Sequence, residues 1–396
     1  MSKNDNPHWR LATRAIHVGQ EPDAATGATV PPIHPTSTYT QQSPGRHKGY
    51  EYSRTGNPTR AGLERALASA EGGVRCACFS SGSAATAAVL ATLAPGDKVL
   101  AYGDVYGGTY RMLKRVFEGY GVVPQFTEDS TPSAFADRID ERTKLVWIET
   151  PTNPLLRCLD IEAIARVTHD AGAKLAVDNT FATPALQLPI DLGADYVVHS
   201  TTKYIGGHSD VIGGAVVVRD AQLIEKLAFL QNALGAVPGP FDCYLQHRGL
   251  KTLALRMERH SANAAAVAAH LRGHTKLARV VYPFLDDHPD VGLAKRQMSA
   301  GGGIVTIVFR GERTHGRDPA RDAALRFCES LRVFALAESL GGVESLACHP
   351  AIMTHASIPR EVREARGVTD GLVRLSVGIE DVQDLLADLD QALAAP

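Results

Sequence analysis

Lys203 stands in Tyr196-Val197-Val198-His199-Ser200-Thr201-Thr202-Lys203-Tyr204-Ile205-Gly206-Gly207, where an apolar run passes at once into hydroxyls, one lysine and glycines. The run 196–198 predicts a short buried strand, and the polar residues behind it predict a site at that strand's end. An amine among neutral groups there loses its proton more easily than a solvated lysine, and a neutral amine can form a Schiff base. Ser200 and Thr202 add hydroxyls that can hold a phosphate. Pyridoxal phosphate offers both the aldehyde and the phosphate that such a cluster accepts. A polar turn carrying a solvated lysine accounts for the same stretch. Ser200 and Lys203 also fit Ser-x-x-Lys, an acyl-enzyme motif. Its Ser-Asp-Asn and Lys-Thr-Gly partners are missing, since the nearest candidates read Ser209-Asp210-Val211 and Lys251-Thr252-Leu253.

Other apolar runs end in groups suited to the same ligand. After 74–79 comes Ser80-Ser81-Gly82-Ser83-Ala84, small residues that open a helix whose free amides can receive a phosphate. After 174–177 comes Asp178, whose carboxylate can pair with a pyridinium nitrogen and keep it protonated. Glu149-Thr150-Pro151-Thr152-Asn153-Pro154 follows 145–148, and its prolines stiffen a loop that can present Asn153 to a ligand oxygen. Tyr106 lies between another strand end and a helix, where it can stack on a planar ring. Tyr52 and Arg54, two apart in an extended segment, can grip a phosphate together. Arg374, inside the strand-like run 373–378, needs an anion if buried, either a substrate carboxylate or a structural partner. Each signal alone has a plain reading as a turn, a cap, a half-buried tyrosine or an ion pair. Their convergence on one cofactor is what those plain readings do not explain.

The elements that must position these groups alternate. Strands are expected at 74–79, 98–101, 122–126, 145–148, 174–177, 196–198 and 214–218, with helices at 84–93, 109–118 and 161–171 between some of them. Such alternation predicts an α/β fold, a mostly parallel sheet with helices on both faces, which binds ligands beyond the carboxyl ends of its strands. Residues 1–59, rich in Pro, Gly, Thr and Ser, predict an extended arm that needs something to lie on. The division that follows is the arm, a cofactor-binding domain over 60–250 and a smaller α+β domain over 251–396. In the last, helices are expected at 253–270, 319–330 and 381–393, strands at 280–282 and 304–309, and a solvated loop over 312–318.

Composition excludes several classes. The 396 residues carry 41 basic and 43 acidic side chains with the signs interspersed, which argues against nucleic acid or an anionic membrane as partner. The polar start and the lack of a long apolar stretch imply neither a signal peptide nor a membrane span, and a cytoplasmic location is the expectation. Six cysteines without paired metal spacing suit reduced thiols, and no metal site is expected. Cys76 and Cys78, on one strand face, read as packing.

From Thr13-Arg14-Ala15-Ile16-His17 to the closing helix, the chain resembles the Cys/Met-metabolism family of pyridoxal-phosphate enzymes. That family includes the cystathionine γ-lyases, γ-synthases and β-lyases and the methionine γ-lyases. The Lys203 motif, Tyr52-Ser53-Arg54-Thr55-Gly56-Asn57-Pro58-Thr59 and the 149–154 loop together carry the resemblance. It implies the type I fold of pyridoxal-phosphate enzymes. Lys203 is then the Schiff-base lysine and proton shuttle, Asp178 the partner of the ring nitrogen, Tyr106 the stacking ring and acid, and Asn153 a contact of the ring hydroxyl. Phosphate is implied to lie on Gly82, Ser83, Ser200 and Thr202, with Tyr52 and Arg54 arriving from a neighbouring subunit of a homotetramer. Ser339 and Arg374 are implied to hold the α-carboxylate of a small sulfur-containing amino acid.

Gly108 stands where methionine γ-lyases carry a cysteine, which argues against that activity. Glu338 matches the acidic residue that γ-lyases and γ-synthases place near the distal amino group of cystathionine, and 235–245 resembles γ-lyases most. The resemblance thus favours γ-elimination of cystathionine, with γ-replacement and then β-elimination as alternatives. Ser83 and Gly206-Gly207 depart from the usual larger apolar residue and from Asn-Gly.

Overall fold

Seven apolar runs become the strands of one sheet in a computed structural model that describes residues 8–311, 318–356 and 358–395. They are β1 (Arg75–Phe79), β2 (Lys98–Tyr102), β3 (Val123–Thr127), β4 (Thr143–Glu149), β5 (Lys174–Asp178), β6 (Tyr196–His199) and β7 (Gly214–Val218), each close to its expected position. The first seven residues of the expected arm and positions 312–317 of the expected solvated loop lie outside the described residues.

The strand order is β1-β7-β6-β5-β4-β2-β3, and every neighbouring pair from β6 to β3 is parallel. β7 runs antiparallel to both β6 and β1, so β1 points the same way as the parallel strands. The carboxyl ends of β1, β2, β4, β5 and β6 therefore share one edge of the sheet. Side chains alternate between two cores: Val146, Ile148, Leu175, Val177 and Val197 enter one, Leu145, Trp147, Ala176, Tyr196 and Val198 the other. A sheet buried on both faces needs continuous apolar runs, which is why these strands are legible without an alternating pattern. Each fully buried aliphatic side chain contributes about 1.5–3 kcal/mol.

Downstream, a five-stranded sheet has the order β10-β11-β12-β9-β8, with β8 (Leu277–Val281), β9 (Ile304–Phe309), β10 (Ala335–Leu336), β11 (Leu346–Cys348) and β12 (Leu372–Ser376). It packs on the helices Leu253–Leu271, Pro319–Ser330 and Val382–Ala394 through a third core. The first of the expected strands, 280–282, in fact starts at Leu277, and Tyr282 follows it.

Two expectations need correction. The arm is not extended throughout, because Leu11–His17 forms a helix, α1, that buries Ala15 and sends Arg14 to the Ser69 carbonyl. Its seven residues are too few for helical periodicity to register in a sequence window. The helix expected over 109–118 begins at Gly107, changes to π winding at Leu113–Phe117 and closes in a 3₁₀ turn at Glu118–Tyr120. Gly121, at φ 87°, then turns the chain into β3.

Candidate active site

Groups from five strand ends and from the second sheet line one cavity of ≈ 250 Å³. From the large sheet come Gly82, Ser83, Tyr106, Asn153, Asp178, Ser200, Thr202 and Lys203. Glu338, Ser339 and Arg374 approach from the other side. Thus eleven of the thirteen predicted site residues come together. Tyr52 and Arg54 do not join them in the same chain. Instead the Arg54 guanidinium lies 5.4 Å from the Tyr52 ring centre, and Tyr52 is 43% exposed. Arg60 clamps this end of the arm by donating to the carbonyls of Ser53, Arg54 and Thr55 at 2.8, 3.1 and 3.1 Å.

Lys203 Nζ donates to Ser339 Oγ at 2.8 Å. Burial, and then the Arg374 guanidinium, bring its pKa down to about 8, with Glu338 pulling the other way. Ser339 holds its place at φ 91°, a conformation unusual outside glycine, while its carbonyl accepts from Arg374 Nη2 at 2.7 Å. Backbone strain of this kind persists only where the surroundings over-determine it. Arg374, 2% exposed in β12, also donates through Nη1 to Asn153 Oδ1 at 2.9 Å.

Asp178, the last residue of β5, lies in register with Glu149 of β4. Its Oδ1 accepts from the Thr180 amide at 2.9 Å, and burial pushes its pKa up. Glu149 is the group that sequence reasoning quoted without giving it a task. Its carboxylate accepts from the Tyr106 amide at 2.8 Å and the Thr109 hydroxyl at 3.1 Å, so it ties down the loop that carries Tyr106. Burial and the adjacent Asp178 push its pKa well up. The signal was there: a carboxylate at a strand end, beside a strand that also ends in one.

Gly82 opens the helix α3 (Gly82–Leu90; α2 is Pro58–Glu71), capped by the Ser81 hydroxyl. A Cβ at Gly82 would stand 2.7 Å from Ser200 Cβ, and one at Gly214 2.1 Å from the Ser81 carbonyl oxygen. Glycine alone lets the helix start lie against Ser200, which brings amides and a hydroxyl to one spot. Thr202 Oγ1 accepts from the Gly213 amide at 3.0 Å. At Gly108 a Cβ would meet the Tyr106 ring at 2.3 Å, so the missing side chain makes room for that ring. Gly207, at φ 73°, packs so close that a Cβ would meet Arg256 Nη1 at 2.1 Å.

The donor set matches pyridoxal phosphate group by group. A depressed amine suits its aldehyde, a buried carboxyl pair its ring nitrogen, and amides with hydroxyls its phosphate. Among the described residues no group of three or more His, Cys, Asp and Glu could hold a metal ion. An α/β sheet presenting these groups at one edge defines a pyridoxal-phosphate-dependent enzyme. The chain belongs to the Cys/Met metabolism PLP-dependent enzyme family, whose pattern matches residues 12–394. It is 55% identical over 398 residues to a cystathionine gamma-synthase of Mycobacterium tuberculosis, covering 99% of this chain and 100% of that protein. It is 49% identical over 401 residues to the cystathionine gamma-lyase of Bos taurus, covering 99% and 97%. The crystal structure of metB from Corynebacterium glutamicum superposes with a TM-score of 0.94 at 47% identity, covering 98% of this chain and 99% of that one.

The depressed amine makes a direct prediction for the cofactor-free chain. Only the neutral amine attacks an acylating reagent, so Lys203 modification by acetic anhydride should rise with pH about a midpoint near 8. Solvated lysines titrate near about 10.4. Arg374→Met removes one cause of the depression and should move the midpoint upward. Peptide mass spectrometry across pH reads both, and a Lys203 midpoint equal to that of surface lysines would refute the assignment.

Proposed function

We propose that this chain is a carbon–sulfur lyase that eliminates the γ-substituent of L-cystathionine, with water, to L-cysteine, 2-oxobutanoate and ammonia. One observation carries the choice of a two-ended substrate. Glu338, exposed in the same cavity as Lys203 and Arg374, has no ion-pair partner among the described residues. Its carboxylate is available to the distal ammonium of a substrate whose α-carboxylate meets Arg374 and Ser339.

Pyridoxal phosphate, when bound, supplies a sink for the electron pair left by a departing α proton. Lys203 would hold it covalently and Asp178 would keep its ring nitrogen protonated. Tyr106 would stack on the ring, Asn153 would meet its hydroxyl, and Gly82, Ser83, Ser200 and Thr202 would carry its phosphate. Lys203, displaced by substrate, takes the α proton and then moves a β proton, its Ser339 contact steering the amine. Tyr106 gives a proton to the leaving γ sulfur.

Tyr52 and Arg54 complete the phosphate site of a neighbouring copy in a homotetramer. Support comes from the helix Ala221–Leu234, where Asn232 accepts from Arg54 Nε at 3.1 Å. Beside it Phe229, Leu234 and Phe241 are 69, 64 and 59% exposed, an apolar surface suited to a second subunit. The division into arm 1–59, cofactor-binding domain 60–250 and smaller domain 251–396 belongs to this reading. The six cysteines are free and buried, which supports a reducing cytoplasmic setting. No helix among the described residues is long and apolar enough to cross a membrane.

A second reading is γ-replacement, in which cysteine displaces the acyl group of an O-acylhomoserine. The 55% identity to a protein named as a gamma-synthase favours it. Product analysis separates the two. Cysteine with 2-oxobutanoate from cystathionine is expected. Cystathionine from cysteine and an O-acylhomoserine, without elimination, would establish the synthase instead. Homocysteine with pyruvate would mean β-elimination and would remove the role given to Glu338. Glu338→Gln is expected to raise KM for cystathionine by about tenfold, the worth of one hydrogen bond to a charged group.

A further inference from the structure

A larger cleft, ≈ 710 Å³, lies outside the active site. It is walled on one side by β2 and the loop after it, and on the other by β8 and the helix Arg360–Ala365. Two buried polar groups line it with an atom unspent. Asp104 is 7% exposed and its Oδ2 has no hydrogen-bond partner, and His288 is 5% exposed with Nε2 unpartnered. Burial raises the Asp104 pKa to about 6, held from going further by the Thr152 hydroxyl and Arg366. At neutral pH it therefore carries a charge.

The cations on the walls differ in the same way. Arg157 is committed to Asp290 at 2.7 Å and Arg366 to Glu128 at 2.8 Å. Arg279, exposed on β8, has no ion pair among the described residues, and partial burial together with the like-charged Arg157 lowers its pKa. Asp104 is thus a buried carboxylate and Arg279 a guanidinium left without an ion pair in a single cleft, and Glu361, exposed on the helix Arg360–Ala365, is a second carboxylate without one among the described residues. Tyr102, Leu155, Val280 and Leu285 add apolar surface to the same cleft.

We propose that this cleft is a second ligand site that binds a free α-amino acid with an apolar or thioether side chain. Its ammonium meets Asp104 and its carboxylate meets Arg279, with His288 as a further donor. A zwitterion satisfies both of these charges at once, whereas a simple anion leaves Asp104 unpaired and a simple cation leaves Arg279 unpaired. The volume is within the ordinary range for small-molecule sites. The site is independent of which sulfur reaction the first cavity performs. It also shares a wall with that cavity: Asp104 precedes Tyr106 by two residues, and Thr152, bonded to Asp104, precedes Asn153.

The test uses the full-length protein loaded with pyridoxal phosphate, dialysed to equilibrium against labelled L-methionine, L-leucine or L-phenylalanine. The cofactor spectrum is recorded throughout, because an amino acid entering the active site changes it. The expected result is saturable binding of at least one of the three that leaves the spectrum unchanged. N-acetyl and methyl ester forms of that amino acid should not bind there, since each lacks one charge. Arg279→Ala and Asp104→Asn should each weaken this binding by about tenfold or more, as expected for loss of a hydrogen bond to a charged group. Arg279 is exposed, so its variant keeps the test open should Asp104→Asn fold poorly. Binding that always tracks the spectral change, absence of binding by all three, or affinity unchanged in Arg279→Ala overturns the proposal.

Discussion

Lys203→Ala is expected to lower steady-state turnover of cystathionine by more than about 10⁴-fold, the upper end of what one acid–base group contributes. The loss exceeds that of an ordinary catalytic base because the same amine anchors the cofactor and moves protons. The cavity offers no substitute: among its lining residues Lys203 is the one amine, and a guanidinium such as that of Arg374 has no acceptor atom to serve as a base. The amine is also prepared for the task, with its pKa brought to about 8 and its direction set by Ser339 Oγ. Borohydride treatment of the loaded wild-type protein should leave the cofactor's mass on the peptide that contains Lys203. In the variant that adduct should vanish while phosphate-dependent cofactor binding persists, because Gly82, Ser83, Ser200 and Thr202 remain. Unchanged turnover, or an adduct on a different lysine, would remove Lys203 from the centre of the reading.

Which parts were visible in the chain follows from what each part depends on. The β4, β5 and β6 runs are buried on both faces, so their composition alone marks them, and the groups just past them fall at one edge by topology. Lys203, Asp178 and Asn153 were legible for that reason. Arg374 stood out because a guanidinium inside an apolar run demands a partner. The parts not legible depend on contacts far apart in sequence. Glu149 matters because it receives the Tyr106 amide, 43 positions away. The strain at Ser339 is a φ value, which no residue type announces at a serine. The short strands β10 and β11 exist only as additions to the edge of β12. The second cleft unites Asp104 with Arg279 across two sheets, and neither residue belongs to a recognisable motif. Local pattern thus marks strands and their ends, while the electrostatic couplings that adjust the site arise only on folding.

Arg374→Ala is expected to raise KM for cystathionine by about 10²-fold or more while changing kcat less. The side chain is 2% exposed, and no carboxylate lies within ion-pair distance of it among the described residues. Two of its nitrogens are engaged by neutral oxygens, Asn153 Oδ1 and the Ser339 carbonyl, and Nε has no partner. A buried cation with only neutral partners is costly, and a substrate α-carboxylate removes that cost on binding. Losing one partner of a buried charge pair typically costs about 2–5 kcal/mol, and each 1.4 kcal/mol is tenfold in affinity. Arg374→Lys should recover only part of the loss, because an ammonium cannot span Asn153 and the Ser339 carbonyl while also reaching a carboxylate with a planar fork. A second effect separates this from mere loosening of the fold. With Arg374 gone, Lys203 regains its proton more readily once substrate has freed its amine, so the alkaline rise in kcat should shift upward in pH in the alanine variant and not in the lysine one. An alanine variant with wild-type KM and an unmoved pH profile would assign Arg374 to the scaffold and leave the carboxylate site to be sought elsewhere in the cavity.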